Sequence, residues 1–274
     1  MIPADHITEW RRTAPWPLAA QVEQDLVLSR AVVSIFDHPE VARSLAFRGG
    51  TALYKLHLHP PARYSEDIDL VQTTPGPIGG VLDAIRRDLD PWLGRPKRVA
   101  KEGRIVLLYR MFSEEQPPIP MRLKIEINSR EHFSVLGVEE RPFEVRSRWF
   151  SAAATVRTYA LDELLGTKLR ALYQRRKGRD LFDLYTAHLR AEVDPARVVA
   201  CFLRYLERDG RRVSRAELEM NLEEKLTDPL FTSDVVPLLA PGVPWDPVAA
   251  GDYVRLVLLP LLPGEPWKRE LSGP

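Results

Sequence analysis

The sequence predicts an α/β (α+β) protein in which a mixed-sheet domain is followed by an α-helical C-terminal domain. Two observations predict it. In the first half, short stretches with strand alternation are interleaved with amphipathic helical stretches and punctuated by glycine and proline turns. From Leu161 to about Leu258, helical spacing dominates. The change falls near residues 148–160, which divides the chain into a sheet domain over 1–155 and a helical domain over 156–274.

The elements follow in order. Leu18 to Phe36 reads as a helix whose apolar positions are Val22, Leu26, Ala31, Val32 and Ile35. Leu45-Ala46-Phe47 is a short apolar run that ends at Gly49-Gly50, and a helix begins near Thr51 and runs to about His57. Asp67 to Val71 reads as a strand, Ile78 to Trp92 as a helix, and Val99, Ile105–Phe112, Met121–Asn128 and Phe143–Val145 as further strands of one sheet. Strand, glycine turn, helix, strand and then a mainly antiparallel set is the order of an α/β or α+β domain. In the second half, helices are expected over Leu161–Tyr173, Arg179–Leu189, Pro195–Leu206, Arg215–Lys225, Thr232–Leu239 and Pro247–Leu258.

Bulk properties limit the function classes. A chain of 274 residues can bury a substantial core. Its 39 basic and 38 acidic residues leave a net charge of +1, so any nucleic-acid surface must be local. The single cysteine, Cys201, lies in the apolar run Val198 to Leu203; it reads as a small core residue and is compatible with a reducing compartment. The first residues carry Asp5, Glu9, Arg11 and Arg12 rather than an apolar leader, and Val254–Leu262 is interrupted by Arg255 and Pro260. These features predict a soluble, cytoplasmic protein with no membrane partner. His57 and His59, and likewise His132 and His188, lack partners at metal-ligand spacing and read as structural.

The chemistry concentrates in Phe47-Arg48-Gly49-Gly50-Thr51-Ala52-Leu53 and Arg63-Tyr64-Ser65-Glu66-Asp67-Ile68-Asp69-Leu70. Two glycines after a strand let the backbone approach a ligand, and the helix that follows offers free N–H groups and the positive end of its dipole to phosphate. Asp67 and Asp69 stand two apart in a strand, so both carboxylates leave one face while Ile68 and Leu70 enter the core. Paired hard carboxylates suit Mg²⁺ or Mn²⁺, which commonly adds substrate phosphates to its ligands. In Arg122 to Asn128, Leu123, Ile125 and Ile127 face one way and Lys124, Glu126 and Asn128 the other. Glu126 is therefore the candidate third metal ligand, or else part of a solvated strand face.

In the helix from Leu161, Lys168 falls inside the stripe of Leu164, Leu165 and Leu172. Its ammonium must meet an anion there or snorkel out. Asp180 lies in the first turn of the next helix, where it can stabilise the dipole. Asp183 points nearly opposite the apolar face of Leu181, Leu184 and Tyr185, so periodicity alone places it in solvent. Two basic segments, Arg95 to Arg104 and Arg170 to Arg179, are candidates for nucleic-acid phosphate contact or ordinary solvated charge.

At these residues the chain resembles the AbiEii/MenT family of nucleotidyltransferase toxins. The resemblance rests on Gly49 to Leu53, on Arg63-x-Ser65-x-Asp67-x-Asp69, on Lys168 in its helix, and on Arg179-Asp180-x-x-Asp183, in that order. It implies a polymerase-β-like nucleotidyltransferase domain with a helical C-terminal domain. It implies that Asp67 and Asp69 bind metal, that Ser65 stands beside the metal where its hydroxyl can reach a phosphate, that Lys168 contacts the nucleotide phosphates, and that Asp183 belongs to the active site; Gly49, Gly50 and Thr51 are the nucleotide-binding candidates from their backbone. The implication for Asp183 conflicts with the periodicity reading. The resemblance further implies transfer of NMP from an NTP to the 3′ acceptor end of tRNA, which blocks aminoacylation, and a cognate antitoxin as partner. A protein hydroxyl as the acceptor of NMP or phosphate is the alternative, and a degenerate domain used only for binding is a third.

Overall fold

The computed structural model describes residues 2–101 and 103–268. The chain forms two compact units. One comprises Met1–Ala160 with Ala240–Gly242, the other Leu161–Leu239 with Val243–Pro274.

In the first unit the helices are α1 (Ala4–Trp10), α2 (Ala19–Asp37), α3 (Pro39–Ser44), α4 (Gly49–Ala52) and α5 (Gly79–Leu93). Among the described residues the strands number seven: β1 (Leu45–Arg48), β2 (Asp67–Gln72), β3 (Lys97–Lys101), β4 (Arg104–Phe112), β5 (Pro120–Asn128), β6 (Val138–Arg146) and β7 (Ser151–Tyr159). They form one mixed sheet in the order β3-β4-β5-β2-β1-β7-β6. β2 runs parallel to β5 and β1 parallel to β7, while the other neighbours are antiparallel.

Alternation decides which side of this sheet is covered. α2 packs on β2, β5, β6 and β7, and α5 packs on β4. Ile68, Leu70, Leu107, Tyr109, Leu123, Ile125 and Ile127 are buried on the covered side. Their neighbours in sequence, Asp67, Asp69, Lys124 and Glu126, therefore project from the opposite face. α2 is apolar nearly all round, with Val22, Leu26, Leu28, Val32 and Ile35 fully buried. Two acids of α2, Glu23 and Asp25, are deeply buried; Asp25 accepts hydrogen bonds from Trp10 Nε1 at 2.9 Å, Trp16 Nε1 at 3.2 Å and Lys55 Nζ at 2.7 Å, so its charge is compensated.

β7 is not predicted by the sequence reading, which places the change of character across it. Its Ala152-Ala153-Ala154 has weak strand preference, and tertiary pairing with β6 and β1 overrides it. β3 is exposed along its whole length, as suits a lysine-bearing edge strand.

The second unit is helical: α6 (Leu161–Gln174), α7 (Gly178–Arg190), α8 (Pro195–Arg208), α9 (Arg215–Leu226), α10 (Pro229–Ser233) and α11 (Pro247–Tyr253). Three helices start at an Asp-Pro step. Asp194, Asp228 and Asp246 accept backbone N–H bonds as caps, and the proline sits at the first helical position, where its missing N–H costs nothing. The helix expected over Thr232–Leu239 is instead α10 followed by a short turn at Val236–Leu238. The Asp228 cap starts the helix earlier, and Pro237 has no N–H to continue it.

Cys201 is fully buried, and burial pushes its thiol up to about 12. Among the described residues no helix is long and apolar enough to cross a membrane.

Candidate active site

The site of the first unit is built where β1 ends. Arg48 is extended, and the chain then turns sharply at Gly49, whose φ of +82° lies in the left-handed region. α4 starts there and continues through a wider turn over Leu53–His57. β2 lies antiparallel beside β1, with Arg48 opposite Asp69. This register sets the Asp69 carboxylate directly against the glycine: a Cβ added at Gly49 would stand 2.3 Å from Asp69 Oδ2.

The first turn of α4 is tied to the chain that leads into β2. The Thr51 hydroxyl lies 2.6 Å from the Asp67 carbonyl, to which it donates, and 2.8 Å from Ser65 Oγ. Gly50 leaves room for the buried Arg63: a Cβ there would stand 2.5 Å from Arg63 Nη2 and 3.2 Å from Ser65 Oγ. Gly49, Gly50, Thr51, Ser65, Asp67 and Asp69 thus come together, with Arg63 as an additional member. The sequence analysis quotes Arg63 in the motif and assigns it no role. Its invisible feature is the packing against Gly50, which only the folded chain creates.

Asp67 and Asp69 are half-buried on one face. Burial raises the Asp69 carboxyl above the ordinary carboxylate range, and the neighbouring charge of Asp67 raises it further. Arg48 and Lys124 oppose this, and Glu126 reinforces it. Arg48 itself is shared with Glu131, to which it donates. Asp69 is therefore under-compensated, while Asp67 is paired with Lys124.

Glu126 is in register with Asp69 across the parallel pair β2–β5. It is already engaged: Arg104 Nε lies 2.9 Å from its Oε1, and Lys124 Nζ 3.0 Å from its Oε2. Lys124 also donates to Asp67 Oδ2 at 3.0 Å. For Glu126 to ligate a metal, these ion pairs must rearrange. Among the described residues, no group of three or more His, Cys, Asp or Glu is disposed to hold a metal ion. The pair Asp67–Asp69 does fit one hard divalent cation, since it offers oxygen donors on one face and Asp69, raised by burial and by Asp67, stands beside a cradle too tight for a Cβ.

Gly49→Ala tests this cradle. The strained φ and the clash with Asp69 are expected to cost about 1–3 kcal/mol of stability. A thermal melt should show the loss, and activity should fall with it because Asp69 must move.

The second unit holds the other sequence-selected residues. Lys168 on α6 is buried with Leu164, Leu165 and Leu172. Its Nζ lies 2.8 Å from Asp183 Oδ2 and 3.4 Å from Asp180 Oδ1, both on α7. Arg175 adds a forked pair to Asp180 at 2.7 and 2.9 Å. Asp180 and Asp183 are fully buried. The periodicity reading of Asp183 as a solvated residue is therefore corrected: α7 buries its polar side too, because a lysine from α6 waits there. The anion that Lys168 needs is supplied by these two aspartates. The basic segment Arg170–Arg179 is likewise consumed internally. Arg170 pairs with Asp209, Arg176 with Glu224 and Asp228, and Lys177 and Arg179 with Asp234.

Comparison with known proteins bears on the fold and the family. No curated protein matches the chain in sequence. Its fold is similar to that of MenT4, a nucleotidyltransferase toxin from Mycobacterium tuberculosis H37Rv, with a TM-score of 0.63 and 17% identity over 95% of this chain and 90% of that one. It is also similar to JHP933 from Helicobacter pylori, with a TM-score of 0.53 and 17% identity over 88% of this chain and 91% of that one. At such identity these likenesses show the fold alone. The family model "Nucleotidyl transferase AbiEii toxin, Type IV TA system" matches residues 30–248, and the chain belongs to that family of nucleotidyltransferase toxins.

Proposed function

We propose that the protein transfers NMP from an NTP to the 3′ acceptor end of tRNA, with Mg²⁺ or Mn²⁺ held by Asp67 and Asp69, and so blocks aminoacylation and translation. The observation that carries the reading is the Asp69 carboxylate seated against the Gly49 turn at the start of α4, with Asp67 beside it on the same face. A glycine turn at a helix start next to paired acids supports the reading, since phosphoryl transfer draws on backbone N–H groups and on carboxylates that can hold a cation.

In this reading the 3′ oxygen forms a bond to the α-phosphorus while the bond to the pyrophosphate oxygen breaks, and the hydroxyl proton passes to water. Backbone N–H groups of Gly49, Gly50 and Thr51 hold phosphate oxygens, and Ser65 borders them. A divalent cation on Asp67 and Asp69 would neutralise charge on the phosphates. Glu126 stands at the edge of this set and becomes a ligand only on releasing Arg104 or Lys124. Lys168 is proposed as a phosphate-contacting cation, with Asp183 as the positioning carboxylate that fixes its ammonium. A cognate antitoxin is the expected partner and the cytoplasm the expected compartment.

The test is incubation with each α-labelled NTP, Mg²⁺ and total RNA. Label on the 3′ end of tRNA, abolished by chelation of the metal, is the expected result. Label on protein with RNA unlabelled would move the acceptor to a protein hydroxyl and overturn the tRNA assignment.

A further inference from the structure

The active face of the sheet does not stop at Asp67 and Asp69. Register carries it across β5 and β4 to the edge strand β3. Asp67 stands beside Lys124, then Leu108, then Lys97; Asp69 stands beside Glu126, then Val106, then Val99. The next rows are Asn128, Arg104 and Lys101 on one side, and Arg122 with Arg110, then Pro120 with Phe112, on the other. At strand spacing this platform reaches about 14 Å from β2.

Its composition is that of a polyanion surface with a stacking group. Lys97, Lys101 and Arg110 are exposed and have no acidic partner among the described residues, whereas the basic segment of the helical unit is paired throughout. Arg122 lies only at 4.0 Å from Glu66. Phe112 is 64% exposed and Val99 37%, although both stand on a strand. Around the end of β4 and β5, Phe112, Pro120 and Arg122 from the open face and Leu18, Gln21 and Met121 from the covered side line a groove of about 750 Å³ that reaches Glu66. Exposed cations in successive rows of one face, with Phe112 in the row beyond Arg110 and Arg122 and the paired carboxylates alongside, match a single strand of nucleic acid, which presents phosphates and unstacked bases together.

We infer that the open face of β3–β4–β5 is the track for the single-stranded 3′ end of the RNA acceptor, with phosphates against Lys97, Lys101 and Arg110 and a base stacked on Phe112. This assignment rests on the nucleotidyl-transfer reading for its direction toward Asp67 and Asp69. A duplex has no unstacked base for Phe112 and should bind more weakly.

The experiment uses the full chain without NTP and a fluorescent single-stranded RNA oligonucleotide bearing a 3′ hydroxyl, read by anisotropy over a range of salt. Arg110→Glu and Lys97→Glu/Lys101→Glu should each weaken binding at least about tenfold and flatten the salt dependence by about one unit per cation removed. Phe112→Ala should cost about fivefold or more with the salt slope kept. Arg110→Lys should restore most of the affinity, and Arg176→Gln, which lies in a paired cluster, should change it less than about twofold. Thermal melts confirm that each variant is folded.

Unchanged binding in the folded charge-reversal variants overturns the track. So does equal affinity for a duplex with Phe112→Ala neutral, or a dimer in solution that Phe112→Ala dissociates, which would give the face to a second copy. If wild-type protein labels RNA and the platform variants label it equally well, the track fails while the transfer reading stands. If the platform binds RNA as described and no NTP labels any RNA, the transfer reading fails while the surface stands.

Discussion

Asp69→Asn is expected to lower nucleotidyl transfer by at least about 100-fold, roughly 3 kcal/mol of transition-state stabilisation, while leaving the melting temperature unchanged or raised. The opposed signs follow from one observation. The Asp69 carboxyl is held above its ordinary range by burial and by Asp67. A carboxyl whose folded value is raised opposes folding once pH rises above its unfolded value, because the charge is less comfortable in the native state. Replacing it with a neutral isostere removes that penalty at neutral pH and removes the ligand for the cation at once. Asp67→Asn should lose activity to a similar extent, and it also frees Lys124 Nζ from its 3.0 Å contact with Asp67. Parallel assays of transfer and thermal melting check the pattern. A variant that lost stability together with activity would make Asp69 a structural residue and remove the basis of the proposed site.

Lys168→Met is expected to destabilise the protein by about 3–5 kcal/mol, because it withdraws the cation 2.8 Å from the fully buried Asp183. The melting temperature should fall by about 6 °C or more. The double variant Lys168→Met/Asp183→Leu exchanges the pair for apolar side chains and should recover most of that loss, since Asp180 keeps its forked pair with Arg175. Activity separates structure from chemistry. If Lys168 contacts phosphate, the double variant is stable and inactive. If it transfers NMP at the wild-type rate, Lys168 is a buried counter-ion and nothing more.

The carboxylate pair and the glycine turn were legible because they are local. Alternation places Asp67 and Asp69 on one face whatever the sheet's order, and two glycines before a helix mark a close approach without any knowledge of what approaches. The Gly49–Asp69 contact itself depends on β1 and β2 pairing antiparallel, with Arg48 opposite Asp69. Glu126 shows the limit more sharply. Its face is readable from Leu123, Ile125 and Ile127, yet its ion pairs with Arg104 and Lys124 depend on the β4–β5 register and on which side chains reach it first.

By itself the sequence determined the mixed-sheet and helical halves, the helix starts at Pro195 and Pro247, and which residues of β2 and β5 share a face. These follow from periods, caps and backbone restrictions that act within a few residues. Only the tertiary structure decided that Asp183 is buried against Lys168, that Ser151–Tyr159 is a strand, and that the basic residues of β3 stay open while those near α7 are paired. Each of those outcomes is set by an element distant in sequence, whose position supplies or withholds the partner, and no local period encodes it.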